Sequence, residues 1–273
     1  MRSKLLRITV ACAAFVVGVL AGSVQRYVQQ QWLVAQAEVP AAQVQEQINP
    51  AYPETWELTP RNIADFVNDY PQANMDRLWQ RLGVTDDADT PVQFNFSGEC
   101  GNCEANIFEY NLDDDVDREV VLQIKQQFAE MYRYLIFNDT RDLNPKFLGK
   151  IDVRAKYRPS DPMMFVSNDR AWLIVQSTAG TGSGIAEWVD TVYEVSDSGI
   201  RRVGSYLGEG KYSGVFGFPT KAFTGRLVSF EAKDGRSILK VSYTVDDSGH
   251  VTHCIRTQEA QTSDIEAQTN PCF

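Results

Sequence analysis

The densest group of potential ligands in the chain is at residues 111–119, Asn-Leu-Asp-Asp-Asp-Val-Asp-Arg-Glu. Five carboxylates, Asp113, Asp114, Asp115, Asp117 and Glu119, fall within seven positions, just before the apolar run Val120-Val121-Leu122. A hard cation such as Ca²⁺ takes about six to eight oxygens, and alternate Asp or Asn side chains on a tight turn deliver several of them from one short segment. With Asn111 as position one, Asp113 is three, Asp115 five and Glu119 nine. Five carboxylates so close also repel one another unless a cation, or an arginine such as Arg118, offsets the charge. Two readings follow: a loop that holds a hard cation, or a metal-free acidic turn between two strands.

The pattern resembles the calcium loops of the FG-GAP/VCBS type, the integrin-like Asp-x-Asp-Gly-Asp-Gly-x-x-Glu followed by a Val/Ile strand. The residues that carry the resemblance are Asn111, Asp113, Asp115, Glu119 and the strand start Val120-Val121. It covers about a dozen residues and does not assign the fold. It implies a bound Ca²⁺ held by the side chains of Asn111, Asp113, Asp115 and Glu119, with a carbonyl near Asp117. Asp114 and Val116 stand where the family has glycine, and a β-branched residue is a poor choice where a loop needs positive φ.

Other constellations carry less chemistry. Cys12 lies in the N-terminal apolar segment, leaving Cys100, Cys103, Cys254 and Cys272, an even number suited to an oxidising compartment. Of the three possible pairings, Cys100 with Cys103 and Cys254 with Cys272 are favoured, because each closes a local loop. A redox Cys-x-x-Cys wants its thiolate at a helix N-terminus. A strand-like segment follows Cys103 instead, and Glu99 and Glu104 disfavour the thiolate. Zinc held by Cys100, Cys103, His253 and Cys254 lacks a second short-spaced pair. His250 and His253, three apart on a strand, face opposite sides and share no ligand easily. Residues 180–184 are glycine-rich but lack the Gly-Lys-Ser/Thr of a phosphate loop, and read as a hairpin loop. With residues 204–217, the aromatic residues Trp172, Trp188, Tyr206, Tyr212, Phe216 and Phe218 would either line a shallow glycan or peptide groove or form core.

The elements that must position these residues are mostly strands. Thr59-Pro60 starts a helix carrying Ile63, Phe66, Val67 and Tyr70, and Met75, Leu78, Trp79 and Leu82 repeat the spacing until Gly83. From residue 92 the period shortens to that of strands, expected at 92–96, 107–110, 120–124, 132–137, 147–153, 163–166, 172–176, 188–195, 200–206, 226–232, 238–245 and 250–256. Turns rich in Asp and Gly at 197–199, 234–235 and 246–249 read as hairpins. The fold class is mainly β, an antiparallel sandwich or barrel-like domain preceded by two short helices. It spans 58–256, after a Gln/Ala/Pro-containing spacer at 25–57 that includes a possible amphipathic helix at 25–38, and before a disulfide-tethered tail at 257–273.

Arg2, Lys4 and Arg7 precede an uncharged stretch, residues 8–24, which has the layout of an export signal or a membrane anchor. The chain is therefore expected in the periplasm or outside the cell, touching membrane only through that segment. A net charge of −10 argues against nucleic acid as partner. The reading that fits these features is an exported, non-catalytic envelope binding or assembly protein, with an envelope protein or glycan as partner and a structural calcium loop. The alternatives are a hydrolase that cuts an envelope polymer through paired carboxylates and an acidic inhibitor or immunity-type protein.

Overall fold

A computed structural model describes residues 50–84, 100–113, 115, 117–126, 130–138, 145–156, 161–182, 184–214, 220–233, 236–259 and 271–272. The expected signal or anchor, the helix at 25–38, the spacer before residue 50, the strand at 92–96, the turn at 234–235 and most of the tail lie outside them.

Two helices come first. Thr59 Oγ1 accepts the Asn62 N–H at 3.1 Å and Pro60 fills the first helical position, starting α1 (Pro60–Asp69). Its Ile63, Ala64, Phe66 and Val67 are buried. Helix α2 (Asp76–Leu82) buries Leu78 and Trp79 and stops at Gly83, whose φ of 66° is the left-handed conformation that glycine adopts cheaply. The packed fold begins before the position expected for it. Tyr52 is fully buried against Phe66, and its hydroxyl donates to the Glu57 carbonyl at 2.8 Å.

The helices cover one face of a four-stranded antiparallel meander, β1 (Cys103–Tyr110), β2 (Glu119–Gln126), β3 (Met131–Phe137) and β4 (Phe147–Arg154). Val120, Leu122, Ile124, Met131, Leu135 and Phe137 point to the helices. Their alternates Val121, Tyr132, Tyr134 and Ile136 pack instead with Leu173, Val175 and Val195 of a second sheet. Strands β2 and β3 are thus buried on both faces, which is why their sequences are nearly continuous apolar runs. One charge is sealed into the helix-facing layer. Arg133, 1% exposed, holds Asp152 of the neighbouring strand through Nε at 2.7 Å and Nη2 at 2.9 Å, and its guanidinium lies 4.7 Å from the Trp79 ring centroid. Lys150 reaches the same Asp152 at 2.8 Å.

The second sheet is a seven-stranded antiparallel meander: β5 (Met163–Ser167), β6 (Arg170–Gly182), β7 (Ile185–Ser196), β8 (Gly199–Ser213), β9 (Thr220–Lys233), β10 (Arg236–Asp247) and β11 (His250–Glu259). It curls into a half-barrel, bringing Trp172 of β6 to 4.9 Å from Phe230 of β9, ring to ring. Register shifts in β6–β7, β7–β8 and β9–β10 supply the bending. The β5–β6 connection is a two-residue turn, Asn168-Asp169, with φ of 53° and 61°, the twist that suits a tight hairpin. One glycine-rich stretch differs from its sequence reading: residues 180 and 182, expected in a loop, belong to β6, while the strand expected at 200–206 extends through 213 as β8.

Candidate functional site

The acidic segment is the connection between β1 and β2, closed by the pair Tyr110 and Glu119. Leu112, buried between the two sheets, pins its first half. Side chains then shape the turn from within. Asp113 Oδ1 accepts the Asp115 N–H at 3.1 Å, Asp115 Oδ1 accepts the Asp117 N–H at 2.7 Å, and Glu119 Oε2 accepts the Leu112 N–H at 2.6 Å. The result gathers Asp113, Asp115 and Glu119, with one carboxylate oxygen from each lying within 4.8 Å of the others. Asn111 closes the turn as a donor, from Nδ2 to the Asp115 carbonyl at 3.0 Å. Arg118 lies 3.8 Å from Glu109 on β1. Asp114 and Val116, at the family's glycine positions, lie outside the described residues.

Two carboxyls of the cluster are held above their ordinary range. Burial pushes the Glu119 carboxyl up; the Leu112 N–H opposes the shift, and the Asp113 and Asp115 charges add to it. Asp113 is raised as well, first by burial and then by its neighbours, among them Asp197 in the β7–β8 turn, with the Asp115 N–H acting the other way. An all-oxygen set with one fully buried member, whose charges repel, fits a hard divalent ion.

The remaining sequence candidates separate. Cys100 pairs with Cys103 and Cys254 with Cys272, so all four are disulfide-bonded and none is a thiolate ligand for zinc. His250 and His253 are exposed on β11, at the edge of the sheet, and His253 Nδ1 lies 3.1 Å from Thr244 Oγ1. Trp172, Trp188, Tyr206 and Tyr212 are all buried and do not form one groove. Trp172 packs tilted against Phe165 and edge-on against Phe230 inside the half-barrel, and the Trp188 indole donates to the Lys156 carbonyl at 3.2 Å. Tyr206 and Tyr212 line different cavities. Phe216 and Phe218 lie outside the described residues.

Two buried carboxylates on β7 escaped the sequence reading. Glu187 accepts a hydrogen bond from the Tyr212 hydroxyl. Asp190 accepts one from Gln176 Nε2 at 2.8 Å and another from the Tyr206 hydroxyl. Burial first, and then these acidic partners, push both tyrosine hydroxyls well above their ordinary range. The signal lay in the neighbouring strand. A Cβ on Gly208 would sit 2.5 Å from the Asp190 carboxylate, so glycine there leaves room for that side chain as it lies.

Among the described residues, two sizeable cavities open on the half-barrel. One, about 740 Å³, is lined by Lys211, Tyr212 and Lys221. The other, about 570 Å³, has Gln176, Asp190 and Tyr206 on its wall. No protein-family profile, curated protein or solved structure matches the chain.

Proposed function

We propose that this is an exported, non-catalytic binding or assembly protein of the cell envelope, braced by Ca²⁺ at the β1–β2 connection. The convergence of Asp113, Asp115 and Glu119 within 4.8 Å carries the metal half of the reading. Glu119 opens β2, a central strand whose two faces contribute to both cores beside it, so a cation there would stiffen the layer on which the helices and the second sheet rest. Two disulfides support the exported half, since such bonds persist in oxidising compartments. The envelope partner, protein or glycan, is inferred from the exported reading and from the acidic charge of the chain.

The test is thermal unfolding of the full chain with Ca²⁺ and with chelator, paired with titration calorimetry. Ca²⁺ at a hundredfold excess over its dissociation constant would stabilise the fold by about 2.7 kcal/mol. Asp115→Asn, at an exposed position with little packing to lose, would weaken binding at least tenfold without unfolding the protein. Equal melting temperatures in Ca²⁺ and chelator, with no binding heat, would overturn the proposal.

A further inference from the structure

We infer that the smaller half-barrel cavity is a binding site for a small organic cation, an amine carried on an apolar body. The cavity, about 570 Å³, falls within the range of small-molecule sites, roughly 300–1,000 Å³. Its walls divide by chemistry. On one side Met163, Met164, Phe165 and Ile174, from β5 and β6, offer an apolar surface, with Leu227 of β9 closing the curve. On the other, Asp190 presents a carboxylate that is only 4% exposed and yet lines the cavity. Asp161 adds a further acid and Arg226 a base to the lining, and Glu209, also there, is paired with Lys211 at 2.9 Å.

The sheet is built to hold Asp190 there. Gln176, Asp190 and Tyr206 are direct cross-strand neighbours on β6, β7 and β8, and the flanking side chains donate to the carboxylate. Gly208, in the lining, leaves the space that the Asp190 carboxylate occupies, since a Cβ there would come within 2.5 Å of it. A carboxylate fixed by neutral donors in a low-dielectric pocket attracts an ammonium group more strongly than one in water does. Met163 and Met164, 45% and 43% exposed, form an adaptable rim for the apolar body, because thioether side chains repack around varied shapes. The site shares no residue with the acidic loop and does not depend on Ca²⁺.

The discriminating probes share one scaffold and differ in head group: phenethylamine, phenethyl alcohol and phenylpropanoate. They are titrated into the full chain in the presence of chelator, with binding read by calorimetry and by chemical-shift change. The expected result is binding of the amine at least tenfold tighter than of the alcohol, with no binding of the carboxylate. Asp190→Asn should abolish the preference for the amine. If that variant fails to fold, Met164→Lys, at an exposed rim position, places a like charge beside the ammonium and should weaken amine binding at least fivefold more than it weakens binding of the alcohol, which loses only the rim contact. Equal binding of all three probes would reduce the site to a greasy surface and overturn the inference. Absence of amine binding at millimolar concentration would do the same, as would a preference that survives every variant that folds.

Discussion

The buried Arg133–Asp152 pair makes a sharp test of how the first layer is held. Substituting Met for Arg133 keeps most of the side-chain volume, so little cavity forms, but leaves Asp152 buried with its bidentate partner gone. Removing one partner of a buried ion pair costs about 3–5 kcal/mol. Lys150, 2.8 Å from the Asp152 carboxylate, retains part of the compensation and moves the cost to the low end of that range. Loss of the cation above the Trp79 ring, 4.7 Å away, returns about 1 kcal/mol to it. The expected net loss is about 3–4 kcal/mol. Urea denaturation in chelator, followed by tryptophan fluorescence, measures it, with Trp79 acting as a local reporter. The double variant Arg133→Met/Asp152→Leu removes both charges, and Lys150, near the surface, can extend its amine towards water. An apolar replacement of a buried pair is often nearly neutral, so the double variant should recover to within about 1.5 kcal/mol of the parent. A single variant costing under 1 kcal/mol, or a double variant no better than the single, would refute the account of Arg133 as a buried charge held by its partners.

Two further predictions concern the half-barrel and the alkaline limit of the fold. Gly225→Ala would place a Cβ 2.5 Å from the Leu207 carbonyl oxygen, a backbone atom that cannot step aside, and 2.7 Å from the Tyr243 ring. It should cost about 1–3 kcal/mol in the same denaturation assay, and a neutral effect would show that β8 and β9 are not in the close approach described. Burial raises the Tyr52, Tyr193 and Tyr243 hydroxyls to about 12. The unfolded chain releases these protons near pH 10 and the folded chain does not. Their stabilising contribution is therefore complete below pH 10 and is lost as pH rises towards about 12. Melting temperature should fall across that window, with the share of tyrosinate absorbance that belongs to these three residues rising only as the fold is lost. A tyrosinate midpoint near 10 for every tyrosine, with circular dichroism unchanged, would contradict the burial.

Much of this architecture could be read from local pattern, because local pattern is what a meander uses. Thr59-Pro60 and Gly83 mark helix ends through backbone rules that act within a few residues, and both operate as expected. Alternation and Asp/Gly turns located the strands from β1 to β11, although β6, β8 and β9 run several residues beyond their apolar cores. Those extensions contain Gly180, Gly208, Gly210 and Gly225, whose strand role depends on what lies across them: a Glu187 or Asp190 carboxylate, or the Phe223 or Tyr243 ring. That information is tertiary, so the glycines of residues 180–184 read as a loop. The acidic hairpin is legible because its carboxylates are neighbours in sequence. The wall around Asp190 was not, because its members come from β5 to β9 and meet only when the sheet curls.

The order of the strands bears on how the molecule assembles. In both sheets every strand lies beside its predecessor in the chain, antiparallel and joined by a short connection or hairpin. A newly made strand thus finds its partner already waiting, and the loop-closure entropy of each pairing is small. A chain delivered N-terminus first, from a ribosome or through a membrane pore, can add hairpins one at a time without holding an early strand open for a late one. Growth of the second sheet ends at β11, where Cys254 meets Cys272, 18 positions further on. That oxidation needs Cys272, made after β11, so the bond is a covalent marker that separates chains whose last sheet strand is tethered from chains in which it is not.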